Sequence, residues 1–202
     1  KMTENLSMKK PASSARWIAE GGICIALAKV LDLITIFRMP QGGSVTLGSM
    51  APLFFFAIRW GWKKGLLVGG VYGLVNMLLG GYVVHPLQLI FDYPLAFAMC
   101  GLAGIPQSKK ENEFKFYIPW MLLGTALRYL CHVISGCIFF GSISFENGGG
   151  SLAQAISPSN WANSSTILYS LGYNLFLLPD LLICLVIIGL LWKSLKRYLV
   201  SQ

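Results

Sequence analysis

Long apolar blocks separated by short polar segments constrain this chain of 202 residues more than any other feature. Several blocks approach or pass the roughly 20 residues that a helix needs to cross a bilayer. Only 12% of the residues are charged, well below the roughly 25% of a typical soluble domain. The pattern predicts an all-α integral membrane protein with six transmembrane helices. The blocks are 17–37, 48–60, 65–82, 87–105, 116–140 and 166–192.

Basic residues alternate between the ends of these blocks. Most of the Lys and Arg residues fall in four clusters, at 1–16, 59–64, 109–115 and 193–197, and the intervening ends carry only Arg38. This alternation places both termini in the cytoplasm. We therefore expect one domain over residues 1–202, with a polar cytoplasmic N-terminus at 1–15. The net charge of +8 follows membrane topology and comes with no nucleic-acid motif, so the expected surroundings are membrane lipid and no nucleic acid.

Motifs for catalysis or metal binding are missing from the sequence. It contains no G-x-x-x-x-G-K-[ST] phosphate loop, no H-E-x-x-H and no G-x-S-x-G. The five cysteines all lie inside apolar blocks without C-x-x-C spacing, so neither a disulfide framework nor a metal site is expected. We predict that the chain is not an enzyme and needs no cofactor or metal.

A basic residue and a histidine lie within the fifth block. Arg128, His132 and Gly136 recur every four residues, so on a helix they share one face. Charged and polar side chains are unfavourable in hydrocarbon and should face the protein interior or a water-filled cavity. Two interpretations stay open: a structural pair, with Arg128 bonded to a carboxylate and His132 to a backbone carbonyl, or part of a functional site.

Other polar and aromatic residues lie toward the outer ends of the blocks. Asp92 and Tyr93 are adjacent in the fourth block, and Tyr169 and Asn174 are close enough in the sixth to reach one pocket. A carboxylate beside aromatic faces suits an organic cation. We expect Arg128 to pair with Asp92 or another carboxylate.

Three packing features complete the pattern. Gly22 and Ala26 form a small-residue strip on the first block, where another helix can approach closely. Lys29 and Asp32 are spaced to pair across a helical turn. The Gly- and Ser-rich segment 41–49 is predicted to be an irregular outer loop.

Four motifs resemble those of bacterial thiamine transporter proteins, the substrate-binding S-components of energy-coupling factor (ECF) transporters. The first is the outer-loop sequence from Met39 to Met50. The others are His85-Pro86-x-Gln88-x-x-x-Asp92-Tyr93-Pro94-x-Ala96-Phe97, His132-Val133-x-Ser135-Gly136-x-Ile138-Phe139-Phe140, and Tyr169-Ser170-x-x-Tyr173-Asn174-x-x-x-Leu178-Pro179. The resemblance covers residues 19–196.

The resemblance implies a multi-pass protein of the bacterial cell membrane that binds thiamine from outside. Uptake then requires a transmembrane T-component and two cytoplasmic ATPase subunits. The strip of Gly22 and Ala26 matches the surface that contacts the T-component. Alternatives are an S-component for a pyrimidine or thiazole precursor of thiamine, and a membrane structural subunit that binds no ligand.

The resemblance also assigns roles to individual residues. Asp92 matches the acidic position at the thiazolium ring, with Tyr93 after it, and His132 matches the imidazole there. Gly136 matches a close-approach position and Arg128 a basic one. The pair that addresses the aminopyrimidine is matched by Tyr169 and Asn174.

One departure concerns the ring that stacks on the pyrimidine. Phe140 stands where better-known members have tryptophan, and Trp161 in the long segment 141–165 could supply an indole instead. Trp161 could equally anchor that segment at the lipid headgroups. We predict that segments 41–49 and 141–165 close over the bound ligand.

Overall fold

The computed structural model describes residues 13–39, 43–81, 86–109, 113–146 and 164–200, and these residues form six helices. Helix α4 spans 86–109 and changes from α-helix to a π turn at Phe91–Leu95 and to 3₁₀ geometry at Met99–Lys109. Helix α6 spans 164–200 and has one 3₁₀ turn at Asn174–Phe176. The other helices are α1 (Ser13–Leu33), α2 (Ala51–Trp60), α3 (Trp62–Leu78) and α5 (Ile118–Glu146).

Three helices within the described residues are long and apolar enough to cross a membrane. They are Pro86–Pro106, Phe114–Ile138 and Ile167–Ser194. Helix α2, with 10 residues, is about 15 Å long and shorter than a hydrocarbon core of roughly 30 Å. Helix α1 is long enough but carries several charged residues. The six spans and the cytoplasmic termini stay predictions.

A short β-hairpin follows α1, which corrects the all-α prediction and the helix expected to continue to residue 37. Helix α1 ends at Leu33, and β1 (Thr35–Arg38) pairs antiparallel with β2 (Ser44–Thr46). The residues after Leu33 are rich in β-branched and aromatic side chains, which favour extended backbone. Part of the predicted irregular loop is therefore a strand, and residues 40–42 lie outside the described part of the chain.

Helix α4 changes geometry at a proline. Pro94 cannot donate a backbone hydrogen bond, and the chain widens into the π turn Phe91–Leu95 around it. π turns often occur at functional sites. This one carries Asp92 and Tyr93.

Small residues let α3 pack directly on α4. A Cβ added at Gly69 or Gly73 would overlap the carbonyl oxygens of Phe97 or Tyr93. This close packing fixes the backbone next to Asp92.

The buried core centres on α2. Phe54, Phe56 and Ile58 of α2 pack with Tyr72 and Met121, all at most 1% exposed.

The pair predicted within α1 is confirmed, because Lys29 Nζ lies 2.8 Å from Asp32 Oδ2. Lys29 also donates to Asn76 Oδ1 of α3.

Candidate functional site

A polar cavity of about 200 Å³ lies between the hairpin, helix α1 and helices α3 to α6. Six residues singled out from the sequence line it: Asp92, Tyr93, Arg128, His132, Gly136 and Asn174. Among the described lining residues, three carboxylates (Asp32, Asp92 and Asp180) face one guanidinium, that of Arg128. The positive charge of Lys29 offsets the negative charge of Asp32, so Asp92 and Asp180 leave an excess of negative charge over Arg128. This excess favours a cationic ligand.

Asp92 and His132 form a close polar pair in the cavity. Asp92 Oδ1 lies 2.7 Å from His132 Nδ1, and Gln88 Nε2 donates to Asp92 Oδ2 at 3.4 Å. The Asp92 side chain keeps 25% of its surface exposed. Asp92 is thus held in place by α4 and α5 and still presents carboxylate surface to the cavity.

Arg128 orients His132 from one turn earlier on α5. Its Nε donates to His132 Nε2 at 3.3 Å. Because an arginine can only donate, Nε2 is the acceptor and the proton on Nδ1 points to Asp92. A series of hydrogen bonds, each donated in the same direction, therefore runs from Arg128 through His132 to Asp92.

The expected ion pair of Arg128 with a carboxylate is wrong for the described part of the chain. No ion pair there includes Arg128, because His132 stands between it and Asp92. The guanidinium carbon lies 4.1 Å from the centroid of the Phe97 ring. Its Nη1 is buried and has no hydrogen-bond partner among the described residues. The structural interpretation of His132 is corrected as well, since its partners are side chains and not a backbone carbonyl.

Asp180 is a cavity residue whose role the sequence did not reveal. It is 2% exposed and accepts hydrogen bonds from Thr46 N at 3.0 Å and Thr46 Oγ1 at 2.8 Å. These bonds fasten strand β2 to helix α6. A carboxylate within an apolar block was the available signal, because such a group needs a partner.

Asn174 and Gly136 meet where α5 and α6 pack. Asn174 is 4% exposed and donates through Nδ2 to Ser170 O at 2.9 Å. A Cβ at Gly136 would overlap Ser170 Oγ, which donates to Val133 O at 2.9 Å. Gly136 thus allows the close contact that positions Ser170 and, through it, Asn174.

Tyr169 does not line the cavity, which corrects the expectation that it shares a pocket with Asn174. Five residues correspond to about 140° around a helix, and Tyr169 is 49% exposed. Its ring stacks on Tyr173, with centroids 6.1 Å apart and planes at 18°. Tyr173 lines the cavity instead, and its hydroxyl accepts a hydrogen bond from Gly43 N at 3.0 Å.

The side chains of the two candidate stacking residues, Phe140 and Trp161, are not among those that the structure describes. Helix α5 includes position 140, and Trp161 lies outside the described residues. Helix α5 continues to Glu146 and α6 begins at Ser164, so both ends of the predicted loop 141–165 are helical. Stacking by Phe140 or Trp161 stays a prediction.

The strip of small residues on α1 is open. Gly22 and Ala26 are both exposed, and a Cβ added at Gly22 would meet nothing within 4 Å. This surface lies apart from the cavity and is accessible to a partner helix.

Apolar helices of membrane-spanning length around an internal polar cavity define a helical membrane protein with a binding site for a small molecule. Residues 18–153 match the family described as thiamine transporter protein (Thia_YuaJ). The chain belongs to this family.

Individual relatives agree with this assignment. The chain is 34% identical to the thiamine transporter ThiT of Bacillus subtilis (strain 168), over 92% of this chain and 94% of that protein. It is 29% identical to ThiT of Lacticaseibacillus paracasei over 62% of this chain and 68% of the relative. A solved structure of ThiT from Listeria monocytogenes matches with a TM-score of 0.66 and 25% identity, covering 92% of this chain and 98% of that one.

Proposed function

We propose that this chain is the thiamine-binding S-component of an ECF-type transporter in the bacterial cell membrane. It captures thiamine from outside and passes it on through a T-component driven by two ATPase subunits. The observation that carries the proposal is the Asp92–His132 pair at 2.7 Å within a cavity that has an excess of carboxylates. Family membership supports thiamine as the ligand.

The thiazolium ring of thiamine carries the positive charge that Asp92 complements. At 4 Å and an effective dielectric constant of about 20, two unit charges attract by about 4 kcal/mol. Part of this attraction offsets the loss of hydration of both charges, so the net contribution is smaller than this value. The hydrogen bonds from Arg128 to His132 and from His132 to Asp92 hold the Asp92 carboxylate for this contact.

The aminopyrimidine is assigned to Asn174, which lies beside Gly136 one helical turn from His132. Asn174 uses Nδ2 for Ser170, which leaves its Oδ1 to accept from the exocyclic amino group. Tyr93 lines the same cavity and offers an aromatic surface. Tyr169 acts in this proposal through its stack on Tyr173, and Phe140 or Trp161 supplies the stacking ring.

The hairpin serves as the inner edge of a lid. Gly43, Ser44 and Thr46 line the cavity, and the contacts of Gly43 with Tyr173 and of Thr46 with Asp180 hold the hairpin against α6. Release of these contacts would open the cavity to the outside. Segments 41–49 and 141–165 would then close again over bound thiamine.

Coupling to transport is assigned to the other side of the molecule. The sequence has no phosphate loop of the G-x-x-x-x-G-K-[ST] type, so separate ATPase subunits fit this chain. The exposed strip of Gly22 and Ala26 offers a T-component helix close approach.

Titration calorimetry of the purified chain tests the proposal. Thiamine, its pyrimidine precursor and its thiazole precursor are titrated separately. Thiamine should bind most tightly, since only thiamine engages both Asp92 and Asn174. Preferential binding of one precursor would assign the chain to that precursor, and heats equal to dilution for all three would refute ligand binding.

A further inference from the structure

A second, apolar concavity lies on the outside of the helical bundle, separate from the polar cavity. It is a groove of about 590 Å³ between α1, α2 and α6. Its walls are apolar over most of their length, and Ile23, Leu27 and Val30 of α1 are all more than half exposed. Charged residues border it at one end only, where Arg16, Glu20 and Arg59 lie.

The groove is long enough for most of one membrane leaflet. Its apolar part on α1 runs from Ile23 to Leu31, which is about 12 Å at 1.5 Å per residue. Half of a hydrocarbon core of roughly 30 Å is about 15 Å. One acyl chain of a phospholipid would therefore lie along the groove from its charged end toward the bilayer midplane.

Cations outnumber carboxylates at the charged end. Glu20 accepts from Arg16 Nε at 3.0 Å, Arg59 Nε at 2.6 Å and Trp60 Nε1 at 2.7 Å. Within the described residues neither Lys63 nor Lys64, which follow on α3, forms an ion pair with a carboxylate. Glu20 is thus shared by Arg16 and Arg59, which leaves one positive charge in excess at this end of the groove. Lys64 adds another beside Trp60.

Indole rings hold Lys64 near the charged end of the groove, because Trp60 also donates to Glu20. The Lys64 ammonium lies 4.5 Å from the centroid of the Trp60 ring and 5.5 Å from that of Trp17. Tryptophan and lysine both prefer the headgroup region of a bilayer. The neighbouring Trp62 ring, 38% exposed, receives the Lys63 ammonium at 5.6 Å.

We propose that this groove binds one anionic phospholipid, with an acyl chain along α1 and the phosphate at Arg16 and Lys64. A purely apolar helix would fill the groove but would not balance the positive charge that Glu20 leaves in excess, so charge complementarity favours the lipid. The inference rests on the membrane location and orientation proposed above, which put these cations in the cytoplasmic leaflet. It is independent of which small molecule the cavity binds.

Native mass spectrometry of the full chain tests this site. The protein in detergent is offered equal amounts of phosphatidylglycerol and phosphatidylcholine with identical acyl chains. We expect one phosphatidylglycerol per chain, at least fivefold preferred over phosphatidylcholine. Lys64→Gln should reduce that preference at least twofold, and the double variant Arg16→Gln/Lys64→Gln should reduce it to about one. Lys115→Gln, which removes a cation that is paired with Glu113, is the matched control and should keep the preference.

A variant in the apolar part of the groove measures the contribution of the acyl-chain contacts apart from that of the charged residues. Leu27→Trp fills the groove without changing charge and should lower retention of both lipids. Equal retention of the two lipids by the unmodified chain would overturn the proposal, as would a preference that Lys64→Gln leaves unchanged. Thermal unfolding establishes that each variant is folded. Thiamine titration of the same samples is read separately: a chain that prefers phosphatidylglycerol but does not bind thiamine refutes only the proposed function.

Discussion

Gly136→Ala should damage both stability and ligand binding through a single added methyl group. The new Cβ would overlap Ser170 Oγ and lie 3.1 Å from Ser170 Cβ. Either Ser170 rotates away or helices α5 and α6 move apart. Both responses disturb Asn174, which donates to the carbonyl oxygen of Ser170.

The magnitude follows from two losses. Overpacking a close contact costs about 1 to 3 kcal/mol, and losing the bond from Ser170 Oγ to Val133 O, now 2.9 Å, costs about 0.5 to 1.5 kcal/mol. We expect destabilisation of about 2 to 4 kcal/mol and thiamine binding at least tenfold weaker, which corresponds to about 1.4 kcal/mol.

Chemical unfolding and calorimetry measure these effects. Gly172→Ala on α6 is the control, because its Cβ would meet nothing within 4 Å; it should leave affinity unchanged and raise stability by up to about 1 kcal/mol through the higher helix propensity of alanine. Ser170→Ala removes the clashing hydroxyl, so the double variant Gly136→Ala/Ser170→Ala should lose less than the sum of the single variants. A Gly136→Ala protein that unfolds and binds like Gly172→Ala, or strict additivity in the cycle, would refute the packing argument.

Three further predictions concern the lid, the coupling surface and the stacking ring. Asp180→Asn should loosen the hairpin, because the charged acceptor for Thr46 is lost. Limited proteolysis between β1 and β2 should then be faster than in the unmodified chain. An unchanged rate would contradict the idea that Asp180 holds the hairpin against α6. Gly22→Trp and Ala26→Trp should each abolish uptake by the assembled transporter while calorimetry shows normal thiamine binding, and normal uptake by both excludes the strip as the docking surface. Phe140→Ala or Trp161→Ala should weaken thiamine binding by about 1 to 3 kcal/mol if its ring stacks on the pyrimidine, and a negligible loss in both variants ends the stacking hypothesis.

Much of the site could be read from the sequence because polar residues in apolar blocks have few acceptable environments. Asp92, His132 and Arg128 had to face an interior or a cavity, and they line one. Their pairing could not be predicted, because the partner of Arg128 depends on where α4 lies relative to α5. The structure inserts His132 between the two charges.

Residues 34–46 show where periodicity alone was insufficient. An apolar run gives the same signal in a buried helix and in a strand, so the hairpin was interpreted as helix and loop. Tyr169 and Asn174 show a related limit, since nearness in sequence does not place two side chains on one face. The 3₁₀ turn at Asn174–Phe176 sets the direction of Asn174 in a way that helical spacing cannot predict.

The central claim is that Asp92 recognises the positive charge of the ligand, and calorimetry of Asp92→Asn tests it most directly. Asparagine has nearly the same shape and can still accept from His132 Nδ1, so the substitution removes charge with little change in packing. The titration uses thiamine and an isosteric analogue whose thiazolium is replaced by neutral thiophene. We predict that Asp92→Asn loses at least tenfold in affinity for thiamine, or about 1.4 kcal/mol. Its affinity for the neutral analogue should fall by less than about threefold. Unchanged affinity for thiamine, or equal losses for both ligands, would contradict the account.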